Sequence, residues 1–152
     1  MDADCLIKLT KSKLKEFVCK NFSVVIPQIV KEEIAYNTQE HFDAMIISEN
    51  IENKLITINT MSSSSKKGED EIFSIFQQGE YDAICSDDKR FIKRLRFFNI
   101  PYITPAVFIA LLLKKGKLTI KEAREKLDCL SSFVSDEEYN VIKAFLENWG
   151  KQ

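Results

Sequence analysis

The sequence predicts an α/β fold, a three-layer α/β/α sandwich around a short, mainly parallel sheet. Three observations predict it. Short apolar runs rich in β-branched residues, such as SVVI and LITI, alternate with longer stretches at helical spacing. Strands separated by helices require crossover connections, which make a sheet parallel and cover both of its faces. Only three prolines and four glycines occur in 152 residues, too few for an all-β chain with many tight turns or for a disordered one.

The elements follow in order. Leu6, Leu9, Leu14, Phe17 and Val18 keep helical spacing after Asp4, a candidate N-cap. Residues 23–26 (SVVI) form the first strand, and Pro27 opens a helix that runs to about Tyr36. Phe42, Met45, Ile46 and Glu49 place a helix over 39–53, and 55–58 (LITI) is the second strand. TMSSSSKKG over 60–68 is a polar loop. A helix over 69–78 carries Ile72, Ile75 and Phe76 on one face; YDAICS over 81–86 is the third strand. Residues 88–98 form a helix with Phe91, Ile92 and Leu95 inward, and 100–103 a fourth strand. Pro105 opens the next helix, which stops before Gly116. Helices over 119–130 and 135–149 complete the chain, the last with Ser135 and Glu138 as a capping box.

Composition excludes several function classes. The net charge of −1 gives no global pull toward nucleic acid or membrane. Cys5, Cys19, Cys85 and Cys129 have neither CxxC nor zinc spacing, so they read as thiols of a reducing cytosol and predict a cytoplasmic protein. No apolar run is long enough to cross a bilayer. His41 is the sole histidine and sits in a polar helix start, which leaves a Ser/His/Asp arrangement unsupported. Glycine-loop phosphate motifs are absent, and the phenylalanines, mostly at helical spacing, are expected in the core.

The acidic residues are the informative ones. Asp87 and Asp88 follow the third strand directly, where ligands bind in open parallel sheets. Asp88 is expected both to cap the next helix and to serve as a ligand. Glu33 lies beside the core-facing Val30 and Ile34, a costly place for a carboxylate unless it is paired or coordinated; a slightly different helix phase would instead leave it an exposed glutamate. Glu69, Asp70 and Glu71 open a helix, where their negative charge also suits the helix dipole. Asp2 lies upstream of the cap expected at Asp4 and has no capping role of its own. Convergence of these groups on one cleft would create repulsion that a hard divalent cation relieves. Lys89, Arg90, Lys93, Arg94 and Arg96 follow the acidic pair along one helix, and Lys66 and Lys67 sit on the polar loop. Beside a metal-loaded centre they would contact phosphates.

Together these residues resemble a PIN domain, the metal-dependent ribonuclease fold of VapC-type toxins. DADCLIKL resembles its opening D-x-S/N/D-x-L-I motif and PQIVKEEI its P-x-x-V-x-x-E motif. GEDE resembles the GExE motif, and SDDKR the S/T-x-D segment in its DD form, both marks of one subgroup. IPYITPAVFIALLLKKGKL resembles that subgroup as well. The resemblance covers residues 1–118 as a nuclease domain and leaves 119–152 as a helical extension packed on it.

The resemblance implies Asp2, Glu33 and Asp88 as catalytic metal ligands, with either Glu69 or Glu71 as the fourth. Helix phase favours Glu71. Asp4, Ser86 and Asp87 are supporting or alternative groups, and Lys66, Lys67, Lys89, Arg90 and Lys93 the RNA contacts. It implies one or two magnesium or manganese ions, an RNA substrate, and an antitoxin or a second copy as candidate partners. In the family a strand precedes the first aspartate at the centre of the sheet. Only Met1 precedes Asp2 here, so that strand is expected to be missing or truncated. A rival reading is a degenerate, inactive PIN domain that serves as a protein-interaction module. A receiver-type acidic pocket is disfavoured, because LITI is followed by Asn59 and Thr60 rather than a phosphoacceptor aspartate.

Overall fold

The computed structural model describes residues 1–37, 47, 49, 51, 53–60, 67–149 and 151. Most of the helix expected over 39–53, His41, and the loop residues 61–66 with Lys66 lie outside the described residues.

The described elements run α1 (Ala3–Lys11), α2 (Lys15–Asn21), β1 (Val24–Pro27), α3 (Gln28–Asn37), β2 (Ile56–Asn59), α4 (Gly68–Gln78), β3 (Ile84–Cys85), α5 (Lys89–Phe97), β4 (Tyr102–Ile103), α6 (Val107–Lys114), α7 (Ile120–Leu130) and α8 (Asp136–Trp149). The fold is the α/β sandwich with short parallel pairing that the alternation of elements predicts. Pro27 ends β1 rather than opening α3, pairing in register with Asn59.

The sheet is split into two parallel pairs. β1 pairs with β2, Val24 opposite Ile56, and β3 pairs with β4, Ile84 opposite Tyr102. Met1 and Asp2 bridge the halves. The Met1 ammonium donates to the Val25 carbonyl at 3.0 Å, and the Asp2 amide donates to the Cys85 carbonyl at 3.1 Å. An apolar slot of about 380 Å³ is lined by residues of both halves, Met1, Val24, Val25, Ile84 and Cys85 among them.

Helix ends have local causes. Leu6 and Leu9 were expected in one helical run with Leu14, Phe17 and Val18, but the run breaks at Lys13. Lys13 takes φ 55°, with the Leu14 amide bonded back to Leu9 and its own amide to Thr10. This is a Schellman turn, in which a left-handed residue lets two amides satisfy the last carbonyls. The same pattern ends α5 at Asn99 (φ 54°) and α6 at Gly116 (φ 65°). Leu9 with Leu14, and Leu95 with Ile100, supply the apolar contact that accompanies it; all four are buried.

The capping box expected at Ser135 is only half formed. Ser135 Oγ accepts from the Glu138 amide at 3.2 Å, but Glu138 Oε1 accepts from the Ala106 amide at 2.7 Å. Glu138 therefore ties α8 to the start of α6. A complete box forms at Thr119 and Glu122, ahead of α7.

One core runs through the molecule. It gathers Leu6, Ile26, Val30, Ile84, Phe91 and Leu112 with Leu127, Leu130, Ile142 and Leu146 of the last two helices. The phenylalanines are not all inside it: Phe91 is fully buried, while Phe97 is 80 % and Phe98 51 % exposed. These residues follow the end of the α5 stripe, past Leu95, where the helix leaves the core.

Phe91→Ala should cost about 3–5 kcal/mol of stability, the usual range for emptying a buried aromatic site. Phe97→Ala in the same helix should change stability by less than about 0.5 kcal/mol. Urea denaturation of the two variants measures the contrast.

Candidate metal centre

Asp2 is the N-cap of α1: its Oδ1 accepts from the Cys5 amide at 2.8 Å. The cap expected at Asp4 therefore lies two residues earlier, and Asp4 occupies the first turn. With its own amide bonded to Cys85, Asp2 is fixed between β3 and α1. Asp88 is fixed the same way at α5. Its Oδ1 accepts from the Phe91 amide at 2.8 Å, and its amide donates to the buried Ser86 hydroxyl at 3.2 Å. Asp88 thus caps α5, the first half of what the sequence predicts for it, and it also lines the cleft described below.

Glu33 comes from α3, where Val30 and Ile34 are buried while Lys31, Glu32 and Glu33 itself are exposed. Its carboxylate lies against Gly68. A Cβ built on that glycine would sit 3.1 Å from Glu33 Oε1 and 3.4 Å from Oε2. Glu33 is thereby held beside the start of α4, the helix that carries Glu69.

These side chains share one open cleft of about 1040 Å³. Its acidic lining is Asp2, Asp4, Glu33, Glu69, Asp87 and Asp88, and its basic lining Lys8, Lys67, Lys89 and Arg90. Glu71 does not line it. That residue is 4 % exposed on α4 with Ile72 and Phe73. Helix phase turns Glu71 inward, but inward at that turn leads into the protein. Glu69, two residues and about 200° away around the helix, opens into the cleft instead. Lys93 lies on the exposed surface of α5 outside the lining, and Lys66 is outside the described residues.

Asp87 is already neutralised. It forms an ion pair with Lys8, and Cys5 Sγ approaches its other oxygen at 3.9 Å. Burial works to lower the Lys8 pKa, but the Asp87 carboxylate more than offsets it and holds the ammonium above its ordinary range. Burial and the neighbouring Cys85 push the Cys5 thiol well up, so it stays protonated. Sequence reasoning missed Lys8; its signal was the (i, i+4) spacing from Asp4 on the first helix.

The remaining acids repel one another. Partial burial raises the Glu33 pKa, and the charges of Asp2, Asp4 and Glu69 raise it further. Glu69 is raised by desolvation and then by Asp88, Asp2 and Asp70, against a smaller opposing pull from Arg94. Three helix N-termini, those of α1, α4 and α5, bring Asp2, Glu69 and Asp88 to the cleft, and their dipoles favour negative charge there. Glu33, at mid-helix, has no such support.

The donor set suits a hard divalent cation, since every candidate ligand is a carboxylate oxygen. Among the described residues, however, no group of three or more acidic, histidine or cysteine side chains is placed so that it could hold a metal ion.

The family model DUF3368, a PIN domain, matches residues 1–148. The chain belongs to the PIN-domain family. No curated protein and no solved structure matches it. PIN domains are generally nucleases, and the acidic cleft with a basic rim lies in the part of this PIN domain that the family model covers. Among the described residues, no helix is long and apolar enough to cross a membrane.

Two measurements test the electrostatics. A carboxylate whose folded pKa is raised destabilises the fold as pH rises through the window between its unfolded and folded values. Glu33→Gln should therefore raise the melting temperature of metal-free protein at neutral pH. Solvent screening limits the rise to about 3 °C, and it should close as pH falls through that window. Gly68→Ala, whose methyl presses on Glu33, should keep the melting temperature but weaken manganese binding about tenfold, as measured by calorimetry.

Proposed function

We propose that this PIN domain is a magnesium- or manganese-dependent endoribonuclease that hydrolyses RNA phosphodiester bonds. One observation carries the reading: carboxylates from four separate chain segments, Asp2, Glu33, Glu69 and Asp88, line a single cleft with basic residues at its rim. Glu69 takes the place that helix phase alone had given to Glu71.

In this reading Asp2, Glu33, Glu69 and Asp88 hold the ion. When bound, the cation supplies Lewis-acid polarisation of the phosphate and a water acidic enough to attack at neutral pH. The chain supplies the rest. The N-cap bonds of Asp2 and Asp88 fix two carboxylates in place, and the Lys8 ion pair holds Asp87 behind them. Lys67, Lys89 and Arg90 bind the phosphates on either side of the cut. Ionised Glu33 and Glu69 are needed for ion binding. Their raised pKa values predict that activity falls with pH earlier than ordinary glutamates would cause.

A toxin role, with an antitoxin that covers the cleft, extends the same reading. The second reading is an inactive interaction module. It is favoured by the absence, among the described residues, of any group of three or more acidic, histidine or cysteine side chains that could hold a metal ion.

Incubation of the purified chain with labelled single-stranded RNA tests the proposal. Cleavage should require magnesium or manganese and should drop at least about a hundredfold in Asp88→Asn and in Glu33→Gln. Full activity in excess EDTA, or in either variant, would refute it.

A further inference from the structure

The α5 helix carries a feature that the cleft does not use. Its buried face is Phe91 and Leu95. Its solvent face carries Lys89, Lys93 and Phe97 at four-residue steps, which is one continuous stripe, with Arg90 beside it. The stripe starts at the cleft, which Lys89 and Arg90 line. It ends at Phe97, 80 % exposed, whose ring meets Phe98 edge-on at 5.1 Å. Phe98 in turn packs edge-on against Phe73 at 5.1 Å, so the pair is braced from behind.

The other cations of α5 are committed elsewhere. Arg94 pairs with Asp70 and lies over the Phe73 ring at 4.5 Å; Arg96 donates to the Tyr102 hydroxyl at 2.9 Å. Among the described residues, Lys89, Arg90 and Lys93 enter no ion pair. Free cations that lead to an exposed aromatic ring match the chemistry of single-stranded nucleic acid: phosphates on the cations, a base on the ring. From Lys89 to Phe97 the helix rises about 12 Å, the length of roughly three to four stacked nucleotides.

We propose that Phe97, braced by Phe98, is a base-stacking platform, and that the α5 stripe leads single-stranded RNA from it into the cleft. This rests on the nuclease reading and deepens it by assigning a base subsite, at Phe97, a few nucleotides from the cut. A duplex offers no free base face to the ring.

Fluorescence anisotropy of a labelled oligouridylate of about eight nucleotides, with full-length protein in EDTA so that nothing is cut, tests the platform. Phe97→Ala should weaken binding at least about fivefold with an unchanged salt dependence, and Phe97→Trp should retain affinity. Lys93→Glu should weaken binding and flatten the salt dependence. A fully paired oligonucleotide should bind wild type and Phe97→Ala alike. Equal affinity of Phe97→Ala and wild type for the single strand overturns the platform. So does a Phe97→Ala effect confined to self-association in sedimentation, which would make the patch a protein interface. Manganese-dependent cleavage by the wild type scores the nuclease reading separately, so loss of either is distinguishable from loss of the other.

Discussion

Glu33 on α3 and Glu69 on α4 repel each other across one cleft, and Asp2 and Asp88 add their charges. A folded protein tolerates such crowding only with compensation. Here it comes in two parts. Three helix N-termini point their positive ends at Asp2, Glu69 and Asp88, and Lys8 takes up Asp87. What they leave uncompensated falls on Glu33, which sits at mid-helix against Gly68. The rest of the fold serves to hold these groups together: the Schellman turns set helix lengths, and the core anchors the turns.

The split sheet belongs to the same design. Asp2 reaches the cleft because its amide is hydrogen-bonded to β3 while its side chain caps α1. Met1, bonded to β1, holds the other half of the sheet at the same place. Two residues thus link both half-sheets to the first helix, and the first metal-ligand candidate sits at that junction. Anything that displaces Met1 and Asp2 disturbs the link between the half-sheets and the cleft together.

Much of this was legible in the sequence. The order of strands and helices followed from apolar spacing, and Asp88 was readable as both cap and cleft residue because it directly follows a strand. Glu33 was readable from its buried neighbours. The choice between Glu69 and Glu71 was not. Periodicity shows which side of a helix is inward, but not whether inward at a given turn means core or cleft. Glu69 and Glu71 share the first turn of α4 but point about 200° apart, Glu69 into the cleft and Glu71 into the packed interior. The N-cap shift from Asp4 to Asp2 was hidden because both are good capping residues two positions apart, and apolar spacing does not say which one accepts the Cys5 amide. Phe97 and Phe98 are hidden in the sequence because helical spacing does not show where a helix leaves the core, and α5 has its last buried position at Leu95.

The most direct test is calorimetric titration of the metal-free chain with manganese at neutral and mildly acidic pH. Charge crowding at Glu33 and Glu69 predicts saturable binding, with more protons released per ion at the lower pH because those carboxylates must ionise to bind. No saturable binding up to millimolar manganese, or binding whose proton release does not change with pH, would contradict the account.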